Sequence, residues 1–342
     1  MEFIIQYGVF LLKVITIVIA ILLPVLMIIN SSKGKSAGDK GHLQIKNLSD
    51  QFESMGNALQ GSLMDAKTFK KFRKDLDKKK KKQDKSPSKD QQSIFVLNFN
   101  GDIQASEVDK LKHEINAILL SQTKCKEVVL KVESGGGSAY AYGLCAAELK
   151  RLIDNKIKLT VCIDKVAASG GYLMSCVATK IVAAPWALVG SIGVIAQMPN
   201  INKLLKKNLV DFEMHTAGEF KRTLTVFGEN TEEGRNKFKS ELEDLHIIFK
   251  DFVKDNRPEI DTSVVATGEV WQGERALEVG LIDEIGTSDD YLVTLSKKFK
   301  LFEIEYIEKK NLSERFAFAA ETFLNRTFLR IYDRLNKSRF IS

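Results

Sequence analysis

The sequence predicts an α/β fold, a sheet buried between helices, preceded by a single N-terminal transmembrane helix. Two observations predict it. From Ile94 onward, short apolar strands alternate with segments whose apolar residues recur at helical spacing, which is the pattern of βα units with both sheet faces covered. Ahead of them, residues 9–29 are apolar apart from Lys13 and Thr16, and a helix of about 20 such residues crosses a hydrocarbon core of about 30 Å.

Taken in order, the apolar run at 9–29 is expected to be a retained anchor in the lipid bilayer. No basic stretch precedes it, it is longer than a signal-peptide core, and Asn30-Ser31-Ser32 is not a small-residue cleavage site. Pro24 is tolerated there as a kink. Residues 30–92 read as a basic, partly helical linker. Its first part is rich in Ser, Gly and Lys. Next, Leu48, Phe52, Met55, Leu59, Leu63, Ala66, Phe69, Phe72 and Leu76 are spaced for one or two amphipathic helices. The run Lys78–Lys82 that follows is either a solvated, self-repelling tether or a contact for anionic headgroups.

An α/β domain is expected over 93–299. Strands are predicted at Ile94–Phe99, Glu127–Val132, Leu159–Ile163 and Lys180–Ala184, with helices at Ala105–Ser121, Ala139–Ile153 and Gly171–Ala178. A long helix from Glu232 to Asn256 stops before Arg257-Pro258, as proline requires. Residues 300–342 are expected to add a strand and an amphipathic helix.

Charge distribution narrows the function. The 342-residue chain has a net charge of +7, but residues 31–90 hold 16 basic against 8 acidic side chains. The folded part beyond them is close to neutral, so no nucleic-acid partner is expected, because a basic footprint would lie on the folded domain. Cys125, Cys145, Cys162 and Cys176 fall in apolar segments without metal-ligand spacing and read as small buried hydrophobes. The four histidines form no metal motif and there is no phosphate-binding G-x-x-x-x-G-K-[ST] loop, so neither a metal nor another cofactor is expected.

Two glycine-rich turns remain, each after a strand, where α/β sheets carry their sites. In Glu133-Ser134-Gly135-Gly136-Gly137-Ser138 the glycines bring backbone N–H groups close to a ligand, or serve an ordinary turn. In Ala167-Ala168-Ser169-Gly170-Gly171-Tyr172 small neighbours leave the Ser169 hydroxyl uncovered at a helix start. It is there as a nucleophile with oxyanion donors beside it, or as a helix N-cap. A nucleophilic serine needs a base. His215 is the only imidazole candidate, and Lys221 in Ala217–Thr223 is the other, since an uncharged lysine can accept a proton where burial favours that form.

These turns, with Leu130–Gly137, Val189-Gly190-Ser191-Ile192-Gly193-Val194, Gly268–Gly273 and Gly280–Gly286, resemble the signal peptide peptidase A family of serine peptidases. The match in layout is to its anchored, single-domain inner-membrane branch. The resemblance implies a ClpP/crotonase-like fold of repeated β-β-α units and a Ser/Lys dyad with Ser169 as nucleophile and Lys221 as general base. It also implies an oxyanion hole from the N–H groups of Gly136 and Gly170, with Ser191 as the hydroxyl that orients the lysine. It departs from the family at Gly135, where proline is common. The activity implied is an ATP-independent endopeptidase acting on peptide or protein substrates, in a homo-oligomer, on the periplasmic side of a bacterial inner membrane. Lys33, Lys35 and Lys40 after the anchor argue for the cytoplasmic side instead. The competing readings are a membrane scaffold with a degenerate site and a crotonase-type acyl-CoA enzyme.

Overall fold

A computed structural model of the chain describes residues 8, 10–13, 15, 16, 41–85 and 92–308. The chain divides into two compact units, one of Leu43–Tyr306 and one of Met1–His42 with Ile307–Ser342. In the second unit, the described residues among 8–16 are helical.

The first unit starts within β1 (Gly41–Asn47) and passes into helices α1 (Leu48–Ser62) and α2 (Ala66–Lys85). Then β2 (Ser93–Gly101), α3 (Val108–Leu120), β3 (Cys125–Ser134), α4 (Ala139–Asp154) and β4 (Lys158–Ile163) alternate. Next come β5 (Val166–Ala168), α5 (Gly170–Ser175), β6 (Lys180–Ala183), β7 (Leu188–Gly190) and α6 (Asn202–Lys207). The chain continues through the long helix α7 (Glu232–Asn256), α8 (Thr262–Val265) and β8 (Val270–Gln272) to α9 (Gly273–Glu278), β9 (Glu284–Ile285), α10 (Ser288–Ser296) and β10 (Lys300–Glu308).

The main sheet runs β1-β10-β2-β3-β4-β6-β9, and from β10 to β9 every neighbouring pair is parallel. Parallel neighbours need long crossovers, and α3 and α4 supply them for β2→β3→β4. Alternation divides the strand residues between two faces. Phe95, Leu97, Phe99, Leu130 and Val161 pack with Leu111, Ile115, Cys145 and Leu149 of α3 and α4. Ile94, Val96, Val129, Cys162, Val182 and Leu301 face the other way, onto Leu48 and Phe52 of α1 and Leu292 and Leu295 of α10. A parallel sheet must be covered on both sides. That requirement explains why the compact unit begins at Leu43 rather than at 93: α1, expected as part of a linker, closes the second face.

The strand expected with the C-terminal segment likewise belongs to the sheet, where β10 pairs with β2 in the register Leu301↔Ile94. The helix α2 continues through Lys78–Lys82 to Lys85, where a solvated tether was one expectation. The helix expected from Ala105 starts at Val108. Asp102 Oδ1 accepts the N–H groups of Gln104 and Ser106, and Ala105 has φ +49°, so the chain turns before the helix begins. The helix expected over Gly171–Ala178 is the shorter α5.

Helix ends follow side-chain chemistry. Thr231 caps α7 by accepting the Gly234 N–H, with Glu232 and Glu233 in the first turn, and Thr287 caps α10 with Asp289 and Asp290 behind it. The anchor at 9–29 and the C-terminal amphipathic helix lie largely or wholly outside the described residues. Among the described residues no helix is long and apolar enough to cross a membrane.

Candidate active site

The strand β5 brings the two glycine turns together. It pairs with the last residue of β3 through Ser134↔Ala167 and, on its other side, with β7 through Ala168↔Gly190. Ser169, directly after β5, is held by donating its N–H to the Gly190 carbonyl at 2.7 Å and accepting from Leu173 N–H at 2.9 Å. Its backbone sits at φ +51°, ψ −118°, a conformation that costs a non-glycine residue about 1–3 kcal/mol and that concentrates at functional sites. The side chain makes no capping bond to α5, so the N-cap alternative does not describe it. Half-buried and without a hydrogen-bond partner among the described residues, its hydroxyl lines an open cleft.

Gly136 packs on this serine. At φ +86°, a Cβ at Gly136 would lie 2.6 Å from the Ala168 carbonyl oxygen, 2.7 Å from the Gly170 nitrogen and 2.8 Å from Ser169 Cβ. Glycine is required there for both space and conformation. Gly170 stands in the first turn of α5, where N–H groups lack intrahelical acceptors. A Cβ on Gly170 would strike the Tyr142 ring at 2.5 Å. Ser169, Gly136 and Gly170 thus form one cluster, although 33 positions separate the first two.

The cleft has a volume of about 630 Å³ and is apolar. Tyr140, Gly143 and Leu173 line it on the side of the turns, and Leu242, Ile248 and Phe249 of α7 line the other. Of the aromatic residues near the turns, Tyr140 is exposed and in the cleft, whereas Tyr142 is fully buried, so Tyr140-Ala141-Tyr142 serves wall and core in alternation.

Lys221 is not brought into this cluster within the single chain. It is exposed on the loop between α6 and α7, its N–H donates to the Gly218 carbonyl, and its Nζ has no hydrogen-bond or ion-pair partner among the described residues. The loop around it exposes Leu209, Val210, Phe212 and Phe220, and Lys221 is not among the residues that line the cleft. Ser191 has φ +52° and donates its hydroxyl to the Gly268 carbonyl at 3.4 Å, so in the single chain it orients no lysine. His215 is almost fully exposed beside Glu213, at 3.5 Å, and takes no part. Cys145, Cys162 and Cys176 are buried and all four cysteines are free thiols. Burial pushes those three up to about 12, which keeps them neutral.

Sequence reasoning missed a buried hydroxyl chain under the first turn. Tyr142 donates to the Asp102 carbonyl at 2.7 Å, Ser134 Oγ lies 2.5 Å from Tyr142 Oη, and Gly136 N–H donates to Ser134 Oγ at 3.0 Å. Burial raises the Tyr142 phenol above its ordinary value, so it stays a donor. The only signal in the sequence was a Ser and a Tyr flanking the glycine run, and neither residue type announces a partner 40 positions upstream.

A serine displayed on a strained elbow, with backbone donors beside it and an apolar cleft in front, is the equipment of a serine-type hydrolase. Sequence comparison narrows this to peptide-bond hydrolysis: the pattern of peptidase family S49 N-terminal matches residues 2–149, and that of peptidase family S49 matches residues 151–301. The chain belongs to peptidase family S49 and is a serine-type peptidase. It is 45% identical over 326 residues to a protein of Haemophilus influenzae named probable protease SohB, covering 92% of each chain. It is 46% identical over 305 residues to the protein of the same name from Buchnera aphidicola subsp. Schlechtendalia chinensis, covering 86% of this chain and 100% of that one. Among solved structures, a variant of the 1510-N membrane-bound stomatin-specific protease aligns with a TM-score of 0.40 at 14% identity, over 60% of this chain and 84% of the other.

Proposed function

We propose that the chain is an anchored, ATP-independent endopeptidase that cleaves peptides through an acyl-enzyme on Ser169, with Lys221 as the base. The observation that carries this reading is the Ser169 elbow: φ +51°, a hydroxyl without a partner among the described residues, and Gly136 and Gly170 packed on it at the edge of an apolar cleft. Neutral Lys221 takes the Ser169 proton as Oγ attacks the substrate carbonyl. The N–H groups of Gly136 and Gly170 receive the oxyanion, each such donor contributing about 3 kcal/mol in the transition state. Collapse breaks the C–N bond, and the departing amine takes its proton from Lys221. Water, deprotonated by the same lysine, then hydrolyses the ester.

Because Lys221 is exposed on a loop with an apolar surface, the dyad closes when a second copy of the chain covers that surface, in a homo-oligomer. The unit β4–β5–α5, two strands followed by a helix, supports the ClpP/crotonase-like assignment of the domain. Residues 9–29 anchor the enzyme in the bilayer, with the catalytic domain on the periplasmic side of the inner membrane, and the apolar cleft suits peptides with apolar side chains, such as signal peptides or misfolded envelope proteins.

Fluorophosphonate labelling of the full chain tests the dyad. Wild type labels at Ser169, Ser169→Ala does not, and Lys221→Ala labels at least 100-fold more slowly. Co-expression of Ser169→Ala with Lys221→Ala restores part of the activity if the lysine comes from a second copy. Labelling of Lys221→Ala at the wild-type rate would refute its assignment as the base.

A further inference from the structure

The buried hydroxyl chain has only one consistent arrangement of protons. The Asp102 carbonyl can only accept, so Tyr142 spends its single hydrogen there, at 2.7 Å. The 2.5 Å contact between the two hydroxyls is then donated by Ser134, and Ser134 Oγ is left to accept the Gly136 N–H at 3.0 Å. Ser134 is 2% exposed and Tyr142 is fully buried, and neither is among the residues that line the cleft. Gly101 makes room for it. A Cβ at Gly101 would collide with both Ser134 Oγ and Tyr142 Oη, and β2 holds Gly101 directly opposite Ser134.

An amide hydrogen engaged by a buried serine is not available to an oxyanion forming in the cleft. We propose that Ser134, oriented by Tyr142, is a latch on the oxyanion loop: it holds the Gly136 N–H inward at rest, and substrate must turn that N–H outward before acylation. This rests on the reading of Ser169 as nucleophile and Gly136 as oxyanion donor. The movement required is small. Rotating the peptide between residues 135 and 136 changes ψ of Gly135 and φ of Gly136. Both residues are glycines, and Gly135 has open space around its Cβ position. Ser134 and Tyr142 are positioning residues in this scheme, since neither touches substrate.

The test is Ser134→Ala in the full chain, with two readouts. Hydrogen exchange at the Gly136 amide, resolved by mass spectrometry, should speed up, because the acceptor is gone. The rate of fluorophosphonate labelling at Ser169 should rise roughly 3- to 10-fold, the factor that one net hydrogen bond represents. Tyr142→Phe keeps the ring and frees the Ser134 hydroxyl to turn, so it should move both readouts the same way by less, and it serves if Ser134→Ala does not fold. Ser134→Cys, with a weaker acceptor, should fall between wild type and alanine. A merely structural Ser134 would lose thermal stability on substitution with labelling unchanged or slower, and that result in a folded variant overturns the latch. Unchanged exchange at Gly136 also overturns it. If no variant labels at Ser169, the nucleophile assignment fails, and the exchange rate still decides whether Ser134 holds that N–H.

Discussion

Glu114 offers a sharp test of the core, because it is a carboxyl that the fold buries without an ion-pair partner among the described residues. It lies on α3, 4% exposed; Oε1 accepts the Tyr306 N–H at 2.9 Å and Oε2 has no partner among the described residues. Burial is the main cause that pushes its carboxyl up to about 7, with Glu107 and Glu305 adding to the rise and the Tyr306 N–H and Lys110 opposing it. His113 stacks on the Tyr306 ring beside this site. In the unfolded chain the carboxyl returns to 4.5. Between these values the folded state binds more protons than the unfolded one, so stability falls as pH rises. The stabilising protonated state is complete below pH 4.5 and is lost through pH 7. A shift of this size corresponds to about 3 kcal/mol over the whole window, of which roughly 2.5 kcal/mol falls between pH 5 and 8. Glu114→Gln keeps a carbonyl oxygen for the Tyr306 N–H and cannot ionise. Urea unfolding of both proteins at pH 5, 6.5 and 8 should give nearly equal stabilities at pH 5 and a widening advantage for the variant by pH 8. Parallel curves across that range would refute the reasoning.

Two further outcomes follow from packing. Gly136→Ala should reduce labelling at Ser169 by at least 100-fold, because the new Cβ meets the Ala168 carbonyl and Ser169 Cβ at 2.6 and 2.8 Å and the backbone at φ +86° disfavours it; activity near wild type would remove Gly136 from the site. Cys145, Cys162 and Cys176 should resist a thiol-disulfide reagent in the native protein and react only after denaturation, since burial keeps them as thiols, whereas Cys125, half-buried and pushed up to about 11, should react slowly. Rapid native reaction of the three buried thiols would contradict the packing of both faces of the sheet, Cys145 and Cys176 on the side of α4 and α5 and Cys162 of β4 on the side of α1.

Much of the fold was legible in the chain because its signals are local. Strand alternation at Ile94–Phe99 and the helical spacing of Leu111, Ile115 and Ile118 depend only on neighbours a few residues away. The stop of α7 before Pro258 and its start at Thr231-Glu232-Glu233 are equally local. The role of α1 was less legible: its amphipathic spacing was visible, but not that a sheet face formed by strand residues from Ile94 to Leu301 would need it as cover. Ser169 stood out through its small neighbours, although its spacing alone could not distinguish a nucleophile from an N-cap.

What the sequence determined by itself was the alternation of elements, the positions of the two glycine turns, the confinement of net positive charge to residues 31–90, and, through several motifs in order, the family. Each is a property of nearby residues or of composition. Tertiary structure alone decided that β5 lays Gly136 against Ser169, that Ser134 and Tyr142 engage the Gly136 N–H from beneath, and that Lys221 stands exposed on its loop in the single chain. The physical reason is range. Hydrogen bonds and van der Waals contacts act over a few ångströms, so which distant residues come within them depends on strand pairing and packing, and neither is written in the spacing of residues along the chain.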